Sequence, residues 1–399
     1  MKRAFIFFLK VVICFSFRLI DLFSSNSSKN RSFLIPVYTG LGNLILKTPF
    51  FRELRHQFPE ARIDVLCNTD DHFRCANRQI AEGVFSETPW VDDILSFPTH
   101  ASFWRIFSFY WKIRCKYDTI FLFFDTASVK HPYYGSLIAG IKNRIGHTLS
   151  KKGENKILAL SSFLTVPVEL RKKTHEVDLN FDLLKAISPF CRISYDQHVF
   201  AANSYSPQLE YILRDYSVKA KQYIVVQLAA ANAGKTPKVW LREHFQALIS
   251  MILEKGDKVI VAGDLSEKSI IEEMIRPYRD RVLNFAGRTS VTEVALLIKN
   301  ARGLVCHDSG LMHMGNALNT PLIAIFGPTD YLKNRPLGKY SRFLRLNLPC
   351  SPCMGLNGYW REDEAVDKCS HSFRCMRETL PESVFEALYA GIRQSELLV

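Results

Sequence analysis

The chain has 399 residues and a formal net charge of +13, from 52 lysines and arginines against 39 acidic residues. This length is sufficient for two domains, each with its own core. With 47% hydrophobic and 23% charged residues, and no repeat or low-complexity tract, the composition excludes disordered, fibrous and solenoid proteins. The basic residues are spread along the chain without a zinc-finger or RNA-binding signature. This pattern favours an anionic membrane surface or an acidic substrate over nucleic acid.

The first 23 residues are apolar but interrupted by Lys10 and Arg18. On a helical wheel these cations share a side with the other charged residues and leave a broad face of Phe, Ile, Leu and Val. Each cation would cost about 2.5–3.5 kcal/mol at the centre of a bilayer, so the pattern predicts an amphipathic segment that lies in the membrane surface. A signal peptide without an evident cleavage site and a simply packed helix are the alternatives. Residues 1–31 therefore form a predicted membrane-associating segment and linker.

Residues 32–202 alternate strand-like and helix-like runs, which predicts a parallel sheet flanked by helices. The predicted strands are 33–38, 62–68, 92–97, 118–124 and 143–146, and the predicted helices are 49–58, 103–115 and 175–187. Gly40 and Gly42 follow the first strand in a short turn, where backbone would approach a ligand closely. Pro36 is unexpected inside that strand, because a central strand should not lose a donor.

Residues 203–347 open with a polar, helix-patterned connection and repeat the same alternation, so they predict a second doubly wound sheet. The predicted strands are 223–228, 258–262, 282–285, 303–307 and 321–326, and the predicted helices are 242–254, 266–276 and 291–300. Ser290 and Glu293 have the spacing of a capping box at the start of the last of these helices.

The stretch 303–330 reads as one strand–helix–strand unit with a polar turn after each strand. The first turn carries Asp308, Ser309 and Gly310, and His313 follows on the first turn of the helix. The helix start would receive a phosphate, Asp308 would accept hydrogen bonds from sugar hydroxyls, and Gly310 would permit close approach. The second turn, Gly327 to Asp330 with Thr329, opens on the same sheet edge. The alternative is that these residues only cap helices.

Two further loops follow strands of the second sheet. The first carries Lys235 and Lys238, and a lysine at this edge suits the neutralisation of a departing diphosphate, unless it is simply solvated. The turns Gly263-Asp264 and Gly287-Arg288 lie on the same predicted edge and would line a nucleotide site.

At these residues the chain resembles the lipopolysaccharide heptosyltransferases of glycosyltransferase family 9. The matching residues are Asp308, Ser309, Gly310, His313, Ala317, Leu318, Pro321, Phe326, Gly327 and Thr329 in the second domain, Lys238, Trp240 and Phe245 in its first loop, and Gly42, Pro49, Leu54, Arg55, Phe58, Pro59, Ala61 and 63–66 in the first domain. Leu241 stands where the family has proline. The resemblance implies a GT-B architecture, in which two Rossmann-like domains face a cleft. It also implies an ADP-heptose donor, a lipopolysaccharide acceptor and a diphosphate contact from Lys238.

Asn43 departs from the family, which has an aspartate there that is taken as the general base. An amide cannot accept a proton at neutral pH, so Asn43 would orient an acceptor hydroxyl without activating it. Asp125 ends a predicted strand on the ligand edge and is the candidate replacement, with Asp70 or Asp71 as second choices. A solvated or capping role is the alternative for each carboxylate.

The tail, residues 348–399, contains Cys350, Cys353, Cys369 and Cys375 and a predicted amphipathic helix from Pro381 to Arg393. The cysteine spacing is close to that of a structural zinc site, but its last interval is loose, and we favour reduced or partly paired thiols.

The combined expectation is an inverting, metal-independent transferase without a cofactor, because the chain lacks an Asp-x-Asp motif. The expected partners are a nucleotide-sugar donor, a glycolipid acceptor and an anionic membrane surface. The expected location is the cytoplasmic face of the inner membrane. A nucleotide-sugar epimerase and a catalytically impaired binding protein of the same fold are the alternatives, the second favoured by Asn43.

Overall fold

We analysed a computed structural model that describes residues 31–69, 77–125, 129–148, 160–228, 238–354 and 369–397. The described residues divide into two compact units. The first comprises the described residues up to Arg171 together with Val177–Ser194, and the second comprises Lys172–Glu176 and the described residues from Tyr195 onward. The predicted boundary at residue 202 lies further along the chain than this division. The predicted membrane-associating segment lies outside the described residues.

The first unit contains a six-stranded parallel sheet with the strand order β3-β2-β1-β4-β5-β6. Its strands are β1 (Ser32–Pro36), β2 (Arg62–Cys67), β3 (Asp93–Ser96), β4 (Thr119–Leu122), β5 (Asn143–Thr148) and β6 (Val166–Glu169), and its helices are α1 (Leu41–Gln57), α2 (Arg78–Phe85), α3 (Phe103–Lys112), α4 (His131–Ile138) and α5 (Glu176–Lys185), of which Glu176 itself belongs to the second unit. This is the doubly wound order. Strands β1 to β3 are added toward one edge of the sheet and β4 to β6 toward the other, so the strand order reverses between β1 and β4. Ligands of such sheets bind at that reversal, beyond the carboxyl ends of the strands.

Pro36 fits in a central strand because its position needs no donor. Strand β1 pairs with β2 along its whole length, but with β4 only at Phe33 and Leu34. Pro36 therefore lies beyond the ladder with β4.

Helix α1 corrects the sequence prediction, which began this helix at Pro49. The helix starts at Leu41 and continues through Pro49. Proline leaves the carbonyl four residues earlier without its usual donor. The Thr48 hydroxyl donates to the Ile45 carbonyl at 2.7 Å and satisfies it. Gly42 and Asn43 consequently lie in the first turn of a helix and not in a loop.

The second unit contains another six-stranded parallel sheet, with the order β12-β11-β10-β7-β8-β9. Its strands are β7 (Tyr223–Val226), β8 (Lys258–Val261), β9 (Val282–Asn284), β10 (Gly303–His307), β11 (Leu322–Ile325) and β12 (Ser341–Leu344), and its helices are α6 (Pro207–Asp215), α7 (Arg242–Glu254), α8 (Lys268–Ile275), α9 (Val291–Asn300), α10 (Gly310–Ala317), α11 (Tyr331–Asn334), α12 (Arg374–Arg377) and α13 (Pro381–Glu396). Counted within the unit, the order is again doubly wound, with the reversal between β7 and β10. Two Rossmann-like sheets were predicted, and this prediction is confirmed.

Local chemistry explains where the helices begin and end. The predicted capping box is present, because Ser290 accepts from the Glu293 amide and Glu293 accepts from the Ser290 amide. The predicted helix 266–276 instead opens with a 3₁₀ turn, Leu265–Glu267, before α8. Helix α3 ends at Lys112, short of the predicted Cys115, which has a left-handed φ of 59°. None of the helices in the described ranges is both long and apolar enough to cross a membrane.

Candidate active site

The reversal point of the second sheet is bridged by side chains from the two strands that flank it. Gln227 follows β7 and Ser309 follows β10. The Ser309 hydroxyl donates to Oε1 of Gln227 at 2.6 Å. Ser309 was predicted to bind substrate, whereas here its hydroxyl holds the turn that carries Asp308.

His307, the last residue of β10, ties the Lys238 loop to this point. The Trp240 amide donates to Nε2 of His307 at 3.0 Å, and the rings of Phe245 and His307 meet edge to face at 5.4 Å. Burial, assisted by the charge of Lys238, lowers the pKa of His307 to about 3. The imidazole is therefore neutral at physiological pH, and it accepts at Nε2 with its proton on Nδ1.

Asp308 lies in a half-buried position beside several polar side chains. Burial raises the pKa of Asp308 above its ordinary value, and the positive charge of Lys238 opposes this rise. The side chains of Thr329 and Asn334 interact with the carboxylate by hydrogen bonding, and Lys333 adds a second positive charge nearby. The structure thus brings Lys238, Asp308 and Thr329 to one place, at the open end of α10.

His313 is buried on the first turn of α10. Burial, with the charges of His175 and Lys333, lowers the pKa of His313 to about 3, so this side chain is neutral. Lys333 also forms an ion pair with the buried Glu176, whose Oε2 lies 3.3 Å from Nζ. The charge of Lys333 is thereby shared between Glu176 and the Asp308 turn.

A backbone hydrogen bond connects the turns after β8 and β9, which were predicted to lie on the same edge of the sheet. The Gly287 amide donates to the Gly263 carbonyl at 3.0 Å, and Gly287 has a left-handed φ of 67°. A Cβ on Gly263 would lie 2.6 Å from Oε2 of Glu267. Burial raises the pKa of Glu267 from 4.5 to about 7, with Asp264 adding to the rise.

Gly327 serves packing within the second unit. An added Cβ would overlap the sulfur of Met376 and would lie 3.3 Å from the sulfur of Cys375. The amide of Cys353 donates to the carbonyl of Pro328 at 3.0 Å. The cysteine-containing tail therefore braces the turn that carries Thr329.

The four tail cysteines have free thiols. Burial, with the nearby thiols of Cys353, Cys369 and Cys350, raises the pKa of Cys375 to about 12. In the described part of the chain no three His, Cys, Asp or Glu side chains are grouped so that they could hold a metal ion. The predicted state of these cysteines, reduced or partly paired thiols with zinc as the alternative, stays a prediction.

The reversal point of the first sheet holds the other predicted pair. Asn43, on the first turn of α1, donates from Nδ2 to Oδ2 of Asp125 at 3.2 Å. Nζ of the buried Lys47 lies 2.5 Å from the same oxygen. Asp125 is held in place through its neighbour, since the Phe124 amide donates to Nδ1 of His147 at 3.2 Å. A carboxylate thus lies within hydrogen-bonding distance of the residue that replaces the family's aspartate.

Several of these residues were missed by the sequence analysis. Lys47 had a signal, because a lysine inside the apolar run LILKTPFF needs a buried counter-ion. No sequence signal pointed to Gln227, Glu176 or Lys333, because each is a single polar residue near the end of a strand or helix. Lys235, Asp70 and Asp71 lie outside the described residues, so their predicted roles stay predictions.

The chain is similar to lipooligosaccharide heptosyltransferase 2 of Haemophilus ducreyi, with 24% identity over 323 residues that cover 77% of this chain and 86% of the relative. Its fold is similar to that of a family 9 glycosyltransferase from Veillonella parvula, with a TM-score of 0.73, 15% identity and coverage of 93% and 100% of the two chains. It is also similar to the structure of Escherichia coli ADP-heptose LPS heptosyltransferase II, with a TM-score of 0.66, 20% identity and coverage of 92% and 99%.

The sequence model of one family matches residues 136–358, which is more than half of the chain. This match includes β7 to β12 and the whole Lys238–Asp308–Thr329 group. The chain is a glycosyltransferase and belongs to glycosyltransferase family 9 (heptosyltransferase).

Proposed function

We propose that the protein transfers a heptose-type sugar from an ADP-linked donor to the lipopolysaccharide core or a related glycolipid. The transfer proceeds with inversion and without a metal ion. The similarity to the E. coli ADP-heptose LPS heptosyltransferase II and to the H. ducreyi enzyme supports the donor and the acceptor class.

The observation that carries the proposal is the meeting of Lys238 with the Asp308 turn. The bond between the Trp240 amide and His307 holds the Lys238 loop against the end of β10. The positive charge of Lys238 acts on Asp308, which lies just before α10, and the Ser309 side chain makes no capping hydrogen bond to the first amides of that helix. A cation and a helix N-terminus together neutralise a departing diphosphate, which is the largest charge that this reaction develops.

The residues around this position divide the remaining tasks of donor binding. Asp308 accepts hydrogen bonds from donor hydroxyls, and Thr329 and Asn334 orient its carboxylate. His313 is neutral and buried, so it supports the turn through packing without adding charge. Lys333 is partly neutralised by its ion pair with Glu176, and Lys238 supplies positive charge for the diphosphate.

We assign activation of the acceptor to Asp125. Its carboxylate accepts the proton of the attacking hydroxyl while that oxygen bonds to the anomeric carbon and ADP departs. Asn43 holds Oδ2 of Asp125 through its amide, and Lys47 balances the buried charge. Under this assignment Asn43 orients the base and does not replace it.

The test is radiolabelled transfer from ADP-heptose to a heptose-deficient lipopolysaccharide, with donor binding measured separately by calorimetry. We expect Asp308→Asn to weaken donor binding about tenfold or more, because a neutral amide binds sugar hydroxyls less strongly than a carboxylate. Asp280→Asn, at a fully exposed site, is the matched control. If the Asp308 and Asp280 variants bind the donor equally well, the donor assignment is wrong.

Donor binding without any transfer by the unmodified chain would instead support the binding-protein alternative that Asn43 raises.

We further propose that the enzyme acts as a peripheral protein on an anionic membrane surface. The net charge of +13 and the amphipathic pattern of the first 23 residues support this location.

A further inference from the structure

Helix α3 of the first unit carries aromatic side chains on its outer side. Trp104 is 72% exposed and Trp111 is 47% exposed. The Phe107 ring lies 6.2 Å from Trp104 and 5.6 Å from Trp111, and it is nearly parallel to Trp111 at 15°. Phe103 contacts both Trp104 and Phe107. We call these four side chains, Phe103, Trp104, Phe107 and Trp111, the aromatic face.

The opposite side of α3 anchors the helix to its unit. Ile106 and Tyr110 are buried in the core, and the hydroxyl of Tyr110 lies 3.0 Å from Nδ1 of His131. The ring of Tyr110 packs directly over Gly135, where an added Cβ would clash. Since Ile106 and Tyr110 fix the helix, the two exposed tryptophans are not required to hold it in place.

The charged side chains of α3 and of the residues directly after it all have one sign. Four cations, Arg105, Lys112, Arg114 and Lys116, lie on the helix or directly after it, and no acidic residue occurs between Asp93 and Asp118. Arg105, Lys112 and Lys116 are exposed. The guanidinium of Arg114 lies 5.3 Å from the centre of the Trp111 ring. The acidic and basic side chains that α3 and its flanking residues contribute beside the aromatic face are therefore all positive.

We propose that the aromatic face docks the enzyme on an anionic lipid bilayer. Tryptophan favours the boundary between headgroups and acyl chains, and the cations gain energy from anionic headgroups. The helix has ten residues, about 15 Å, so it lies in the interface and does not span it. Self-association through this surface would place the same cations against each other, which disfavours a second copy as the occupant.

The position of α3 connects this surface to the acceptor. The helix follows β3, so its first turn, with Trp104, begins at the carboxyl edge of the first sheet. Asn43 and Asp125 lie at that same edge. The docking inference specifies a surface for the proposed membrane association, and bilayer binding itself does not depend on which sugar is transferred.

The test uses the full chain with vesicles of phosphatidylethanolamine and phosphatidylglycerol, some of them with brominated acyl chains that quench tryptophan emission. We expect quenching of the native protein. We also expect Trp104→Ser with Trp111→Ser to lower the partition coefficient about tenfold or more, because binding scales with the apolar area inserted. Tyr211→Ser with Tyr216→Ser removes exposed aromatic side chains from the second unit and is the matched control, with no expected effect.

A second pair separates charge from aromatic insertion and protects the test against misfolding. Lys112→Gln with Lys116→Gln should weaken binding to the anionic vesicles and leave the weak binding to phosphatidylcholine unchanged. Circular dichroism confirms that each variant is folded. Equal partitioning of the native and Trp104/Trp111 variants would overturn the inference. A change of oligomeric state in that variant, measured by sedimentation, would overturn it in favour of a protein interface. Donor binding by calorimetry should be the same in all variants, so failure of docking is distinct from failure of the proposed transferase activity.

Discussion

The ion pair between Lys47 and Asp125 separates a structural role of Asp125 from a catalytic one. Nζ and Oδ2 are 2.5 Å apart, and the two side chains are 0% and 6% exposed. Removal of one member of such a buried pair leaves the other charge uncompensated, at a cost of about 3–5 kcal/mol. Replacement of both members by neutral groups of similar size is often nearly neutral.

We therefore expect Asp125→Asn and Lys47→Met each to destabilise the first unit by about 3 kcal/mol or more. The double variant should recover most of this loss, so the coupling energy between the two changes should exceed the cost of either single change. Activity should behave differently. Asp125→Asn removes the base and should lower kcat about 100-fold to 10,000-fold, and the double variant should stay equally slow although its fold is restored.

The measurements are urea unfolding of the three variants and the native protein, followed by circular dichroism, and transfer rates at saturating donor in the absence of urea. The reasoning would be refuted if the double variant regained both stability and turnover, since Asp125 would then only balance the charge of Lys47. Equal stability of all four proteins would refute the buried-pair argument itself.

Three further predictions concern the second unit. Burial raises the pKa of Glu267 from 4.5 to about 7, so its contribution to stability is full below pH 4.5 and is lost as the pH rises through 7. Glu267→Gln should reduce this loss by about 2–3 kcal/mol, measured as the change in unfolding free energy between pH 5 and pH 8. Lys238→Met should weaken ADP binding, measured by calorimetry, about tenfold or more. Lys255→Met, at the exposed end of α7, is the control and should leave ADP binding unchanged. Equal ADP affinities of the two variants would contradict the diphosphate role of Lys238. Gly327→Ala should lower the free energy of unfolding by about 1–3 kcal/mol, measured by thermal unfolding, because the added Cβ overlaps Met376. Adding Met376→Ala to this variant should relieve the overlap. An unchanged melting temperature of the Gly327→Ala variant would contradict the packing role of Gly327.

The sequence predicted the elements in which hydrophobic periodicity and caps agree. Helices α7 and α9 and strand β10 have the predicted bounds, because each combines a clear apolar pattern with an unambiguous start or end. Helix α1 was predicted too short, because a proline that normally marks a helix start lies inside it, where Thr48 compensates for the missing donor. Short segments such as β12 carried too few residues for a period to be recognised.

Part of the candidate site was also predictable from local sequence patterns, because these patterns show where strands end. The predicted strand ends alone indicate that Asp308, Thr329 and Asp125 lie at the carboxyl edges of their sheets, where ligands bind. Partners that lie far apart along the chain, such as Trp240 with His307, become neighbours only through the strand order. That order follows from long-range pairing between strands, which local sequence patterns do not contain.

Asn43 illustrates how such pairing changes the meaning of a motif. Judged by the motif alone, an amide in place of the family's aspartate indicates lost activity. In the doubly wound order, however, the first turn of α1 and the end of β4 are adjacent at the reversal point, and either can supply a carboxylate to the same position. Oδ2 of Asp125 lies 3.2 Å from the Asn43 amide nitrogen, so the charge absent from the helix is present in the turn after the neighbouring strand. The cost of that arrangement is a buried negative charge, and Lys47, one turn along α1 from Asn43, compensates for it. Under the proposed assignment of the base to Asp125, the substitution at position 43 relocates the carboxylate and does not remove it.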